Sequence, residues 1–288
     1  MKDVALQVAR ERPSLGVHAL REYIQNYVLW LMQRDGLNTR LFFIGGTALR
    51  FLWHIGRVSE GLDFSAGPDW KPDEFKGAAR NIERGLAAAG YDVSLHLREE
   101  KTVQRAVFRF AELLAELGLV GSKPQELSIA LEIDTKPPAG ATSSKTVVNL
   151  HLPVLIQHYD LPSLLAGKAA AMMTREYVQG RDYFDIFWLL SKWPDLEPNP
   201  LMFRNALAQK RDAGETGDKA GMGRKASGAG RERQFDQEAN WRAMLIQVVS
   251  EVRWTVIETD VRAFIENSDS LLAFTQENLL RLLNQPKR

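Results

Sequence analysis

The chain of 288 residues contains no cysteine, which excludes disulfides, zinc–thiolate sites and thiol nucleophiles together. It also lacks an excess of charge of either sign. Its 37 Lys and Arg against 36 Asp and Glu leave a formal net charge of +1, so any footprint for a polyanion has to be local. No apolar run approaches the roughly 20 residues that span a bilayer. The opening MKDVALQVARERPSLG lacks the apolar core of a secretory signal. These absences point to the cytoplasm, with no membrane partner. The five histidines, His18, His54, His96, His151 and His158, show no metal-ligand spacing. Neither a G-x-S-x-G elbow nor a Walker A sequence is present.

What is there is an ordinary globular composition, 45% hydrophobic and 25% charged, long enough for one large core or two modest ones. Apolar residues at helical spacing (Leu20, Ile24, Tyr27, Val28, Leu31) predict a helix over 17–34. A strand–Gly-Gly–helix–strand unit follows from Leu41. Pro72 suits a first helical turn, and Phe75, Ala78, Ile82 and Leu86 give the next helix face. Strands are expected over 91–97, 102–110, 126–135 and Thr146–Leu152, with Pro137-Pro138-Ala139-Gly140 stopping the third. From about Pro162 the pattern is helical: Leu161–Tyr177, Arg181–Lys192, Pro200–Arg211, Phe235–Val252, Thr255–Asn267 and Ser270–Asn284. The fold class is therefore α+β, with a mixed α/β domain over 1–155 and an all-helical domain over 156–288. Residues 212–234, rich in Gly, Lys and Arg, read as a disordered loop, either a solvated insertion or a nucleic-acid contact.

Three constellations carry chemistry. Gly45-Gly46-Thr47, between the apolar Leu41–Ile44 and a helix, is either a tight turn or a phosphate cradle of free N–H groups. There Thr47 can cap the helix and reach a phosphate. On the following strand Ser59, Gly61, Asp63 and Ser65 share a face. Only Asp63 of these is acidic, and it is either a metal ligand or a plain strand-end residue; Glu60 points the other way and joins only through a bulge. Glu132 and Asp134, two apart in the apolar strand LEIDT, need a partner because acids in such a setting are costly alone. That partner is a basic side chain or a metal ion. Lys168 and Arg175 share a helix face ahead of Arg181-Asp182, with Asp185 further on. This third group is either an ion-pair network or a clamp on a triphosphate.

In this order GGTALR, R-x-S-x-x-L-D-F (Arg57 to Phe64), EIDTKPP, and K-A-A-A-x-x-x-R followed by R-D-Y-F-D resemble the AbiEii-type nucleotidyltransferases, the toxins of abortive-infection toxin–antitoxin pairs in phage defence. The resemblance runs from about residue 40 to 190. It implies a nucleotidyltransferase-like mixed sheet with flanking helices ahead of a helical domain. It also implies Mg²⁺ (or Mn²⁺) and a nucleoside triphosphate, transfer to tRNA, another RNA or another acceptor hydroxyl, and a cognate antitoxin as partner. Carried onto this chain, Gly45, Gly46 and Thr47 cradle phosphates, with Arg57 and Ser59 also on the nucleotide. Asp63, Glu132 and Asp134 serve the metal, Glu132 alternatively acting as base. Lys168 holds the triphosphate, and Asp182 orients the lysine or the acceptor. The chain departs from the family pattern twice, with Gly61 in place of an acid of the metal pair and Ala130 in place of a lysine. The rival expectations are therefore a weak or inactive nucleotide- or partner-binding member and a transferase for a small-molecule hydroxyl.

Overall fold

The computed structural model describes residues 1–12, 15–99, 102–118, 126–215, 240–266 and 268–285. The chain divides into two compact units, Met1–Pro137 with Ser143–Tyr159, and Pro138–Thr142 with Asp160–Arg288.

The first unit is built on a seven-stranded mixed sheet. Its strands are β1 (Leu41–Ile44), β2 (Gly61–Ala66), β3 (Val93–Glu99), β4 (Val103–Phe110), β5 (Leu127–Asp134), β6 (Ser143–Asn149) and β7 (Pro153–Tyr159), in the order β3-β4-β5-β2-β1-β7-β6. β2 runs parallel to β5 and β1 parallel to β7, and the other neighbours are antiparallel. The helices are α1 (Lys2–Arg10), α2 (Gly16–Arg34), α3 (Gly45–Trp53), α4 (Phe75–Ala88) and the short α5 (Leu113–Glu116).

Alternation along the strands decides which face is dry. Leu41 and Phe43, Leu62 and Phe64, Ala106, Phe108 and Phe110, and Leu127, Ile129, Leu131 and Ile133 are all buried. They form one core with Leu20, Ile24, Val28 and Leu31 of α2 and Phe75, Ala79, Ile82 and Leu86 of α4. The rings of Phe43 and Phe64 lie 5.1 Å apart at its centre. The opposite face of β2, β4 and β5 carries Gly61, Asp63, Arg105, Arg109, Glu132 and Asp134, none of them fully buried.

The second unit holds α6 (Leu161–Thr174), α7 (Gly180–Lys192), α8 (Pro200–Glu215), α9 (Trp241–Glu251), α10 (Trp254–Arg262), α11 (Ser268–Ala273) and α12 (Gln276–Leu283). Asp160 caps α6 by accepting the Ser163 N–H at 2.9 Å. Phe184 and Phe274 pack edge-to-face at 5.3 Å. Arg242 is buried because its guanidinium donates to the Leu282 and Pro194 carbonyls at 3.0 and 2.8 Å.

Several expectations change. The strand expected at Thr146–Leu152 is a hairpin of β6 and β7, so strand structure continues to Tyr159. Pro72 opens a 3₁₀ turn, Pro72–Glu74, ahead of α4. Ser270–Asn284 is two helices, parted where Thr275 caps α12 by accepting the Asn278 N–H at 3.1 Å. α8 continues to Glu215, into the start of the expected loop. Residues 216–239, which hold the rest of that loop, lie outside the described residues.

Candidate active site

The turn after β1 is held by two side chains that leave no room for a Cβ. Gly45 has φ +77°, and a Cβ there would stand 2.5 Å from the Asp63 Oδ2. Both the left-handed backbone and the space therefore require glycine. A Cβ on Gly46 would meet the guanidinium of Arg57, with the Arg57 Cζ at 3.0 Å. Arg57 is buried and donates to the Val58 carbonyl at 3.0 Å. The paired glycines thus bring a carboxylate and a guanidinium against the N-terminus of α3.

Thr47 is the third residue of α3, fully buried, and its hydroxyl donates to the Gly61 carbonyl. It makes no cap, contrary to the expectation for it. Instead it pins α3 to the start of β2. Ser59 precedes β2 and does not share its face; its carbonyl accepts from Gln25 Nε2 at 3.0 Å. Glu60 also lies outside the strand and faces Arg21 at 3.8 Å.

The parallel pairing of β2 with β5 sets Asp63 opposite Glu132, Gly61 opposite Ala130 and Ser65 opposite Asp134. Adjacent strands stand about 4.8 Å apart, so Asp63 and Glu132 are cross-strand neighbours on the open face. Glu132 also pairs with Arg105 of β4, Nε to Oε1 at 3.3 Å. Asp134 lies one pair further on and accepts the Lys136 N–H at 2.9 Å. Beside it, Ser65 hydrogen-bonds Tyr159 of β7; burial holds the Tyr159 phenol above its ordinary range, against that bond. Sequence reasoning missed Arg105 and Tyr159, whose only signal was the strand alternation that leaves Arg105 on the polar face.

Lys168 of α6 belongs to the second unit. Its ammonium bonds Asp182 and Asp185 of α7, both at 2.8 Å, and Arg175 bonds Asp182 at 2.5 Å. Both acids are buried. Burial raises the Asp182 carboxyl, but the charges and hydrogen bonds of Lys168 and Arg175 outweigh it and hold it below the ordinary aspartate range. The ion pairs of the first alternative are present, with Asp182 bonded to both Lys168 and Arg175.

The family described as the nucleotidyl transferase AbiEii toxin of type IV toxin–antitoxin systems matches residues 30–267. JHP933 from Helicobacter pylori aligns over 92% of this chain and 90% of its own, at 14% identity and a TM-score of 0.50, which is a likeness of fold. A candidate nucleotidyltransferase from H. pylori aligns over 90% and 91%, also at 14% identity, with a TM-score of 0.47. Among curated proteins none matches. No helix of the described residues is long and apolar enough to cross a membrane.

Proposed function

The chain belongs to the AbiEii family of nucleotidyl transferase toxins of type IV toxin–antitoxin systems, and on that premise we propose that the face around Asp63 carries Mg²⁺-dependent transfer of a nucleoside monophosphate from an NTP to an RNA hydroxyl. The observation that supports this most directly is the Asp63–Glu132 neighbour pair beside the Gly45–Gly46 turn. In the reaction the acceptor oxygen bonds to the α-phosphorus, the bond from that phosphorus to the bridging oxygen breaks, and pyrophosphate leaves. N–H groups at the start of α3 receive phosphate oxygens, and Arg57 adds a positive charge beside them. The Glu132 carboxylate takes the proton of the acceptor hydroxyl, beside the exposed Arg105 guanidinium.

One magnesium ion fits this donor set. Such an ion sits on one or two carboxylates and completes its shell with phosphate oxygens and water; Asp63 is such a carboxylate, with Glu132 left to act as base. Among the described residues no group of three or more His, Asp or Glu is arranged for a metal ion, so the face offers no protein-only cage. When bound, the ion supplies charge neutralisation and orientation of the phosphates.

Gly61 supports a second reading, in which the chain binds a nucleotide or its antitoxin and performs no transfer. The test is incubation of the purified chain with Mg²⁺, each α-labelled NTP in turn and total tRNA. Label on RNA with one NTP is expected. Asp63→Asn should abolish it, and Glu132→Gln should lower it by roughly 10²–10⁴-fold. Undiminished transfer in both variants overturns the assignment. Nucleotide binding with no label on any RNA supports the second reading, and label on a small hydroxyl compound changes the acceptor.

A further inference from the structure

We infer that the open face of β3 and β4 is a track for the phosphates of the acceptor strand, with Arg98, Arg105 and Arg109 as its contacts. This rests on the transfer reading above and deepens it. The pairing register sets Arg98 opposite Arg105, Arg105 opposite Glu132, and Glu132 opposite Asp63. One row of side chains therefore crosses four strands on one face, about 14 Å from Asp63 to Arg98. Next to it run His96 opposite Val107, and Ser94 opposite Arg109. On this face Ser94, His96, Arg98, Arg105 and Arg109 are all exposed, while the alternate residues Ala106, Phe108 and Phe110 are buried in the core.

Two features say that this row is incomplete without an anion. Like charges directly opposite on neighbouring strands repel and destabilise the pairing, yet Arg98 faces Arg105. Among the described residues no carboxylate pairs with Arg98. The acids that do reach the row are weak partners: Arg105 meets Glu132 at 3.3 Å and Arg109 meets Glu126 at 4.0 Å, with both arginine side chains 47% exposed. Exposed pairs of this kind are worth little, so a phosphate can take either guanidinium in its bidentate fork. A polyanion fits better than a small hydroxyl compound because the row is long. With the terminal hydroxyl at Glu132, the preceding phosphates of an RNA strand lie over Arg105 and Arg98.

The test uses the full chain and a fluorescein-labelled tRNA transcript, without NTP, with anisotropy read across a KCl series. Arg98→Ala with Arg109→Ala should weaken binding about tenfold or more at low salt. The slope of log K against log[salt] should fall by about one to two. Arg80→Ala with Arg84→Ala removes the same charge from α4, whose arginines are exposed but which packs on the other face of the sheet; it should leave the slope unchanged. All four side chains are exposed, so the melting temperature should hold in both variants. The inference is overturned if the two double variants lose RNA affinity equally, if the wild-type chain does not bind the transcript, or if Arg98→Ala with Arg109→Ala weakens only binding of the antitoxin. Salt-dependent RNA binding with no label transfer from any NTP sinks the transfer reading and leaves the track standing. Active transfer with unchanged affinity in Arg98→Ala with Arg109→Ala does the reverse.

Discussion

Gly61 and Ala130, the positions where the resemblance leads one to expect an acid and a lysine, are direct partners across β2 and β5. Placing the acid alone adds a second carboxylate on the face of Asp63 with no cation opposite it, which is unfavourable. A Cβ on Gly61 would lie 3.3 Å from the Ala130 carbonyl oxygen, a tight contact from which the backbone must give by a few tenths of an ångström, and 3.8 Å from the Ala130 Cβ, an ordinary one. Gly61→Asp should tighten the Mg²⁺ dependence of transfer, and Gly61→Asp with Ala130→Lys should raise kcat/KM further, by roughly tenfold over the wild type. A Mg²⁺ titration of both variants that overlays the wild type shows that this pair is not what limits the site. Glu132 was legible in the sequence because an acid in an apolar strand demands a reason, and Asp63 because it is the only acid on its strand face after the Gly-Gly turn. Their adjacency was not, because it depends on the register of two strands some 70 residues apart.

The α6–α7 ion network shows what an element-scale contact does to the interpretation of a single variant. Lys168 neutralises two buried acids. Removing it leaves buried charge uncompensated, which costs about 3–5 kcal/mol. Loss of transfer in Lys168→Ala therefore reports folding as well as chemistry. Because the Asp182 carboxyl is held below its ordinary range, its contribution to stability is present above that range and is lost as pH falls through the depressed folded value. Lys168→Met should lower the melting temperature at neutral pH and move acid unfolding to higher pH. A variant that melts and titrates like the wild type shows that the network is not structural. At this scale the α2, α4, α6 and α7 helices were readable from apolar spacing. β7 was not, because the apolar Leu155 takes an exposed position and the polar His158 a buried one, where it bridges Thr146 Oγ1 and the Tyr159 carbonyl at 2.9 and 2.8 Å.

For the whole molecule, a nucleotide that binds only the folded chain raises its stability, by about 2.7 kcal/mol at a concentration 100 times Kd. Thermal melts with an NTP analogue whose α–β bridge cannot be cleaved should therefore shift upward, more so with Mg²⁺. Asp63→Asn should lose the Mg²⁺-dependent part. If no analogue shifts the melt of the wild-type chain, the nucleotide-binding reading fails.

The sequence by itself determined the α+β class, the helical second half, the family and the identity of the acids, because periodicity and motif order are local properties of a chain. Only the tertiary structure decided what those residues face. It turned Thr47 from an expected cap into a tie to Gly61, set Glu60 ahead of β2 and against Arg21, paired Asp63 with Glu132 across the strands, and lined up Arg98 and Arg105 with them. The physical reason is the same in each case. Alternation along a strand sets the face of a residue, but hydrogen-bond register between strands sets its neighbour, and register is a property of the assembled sheet.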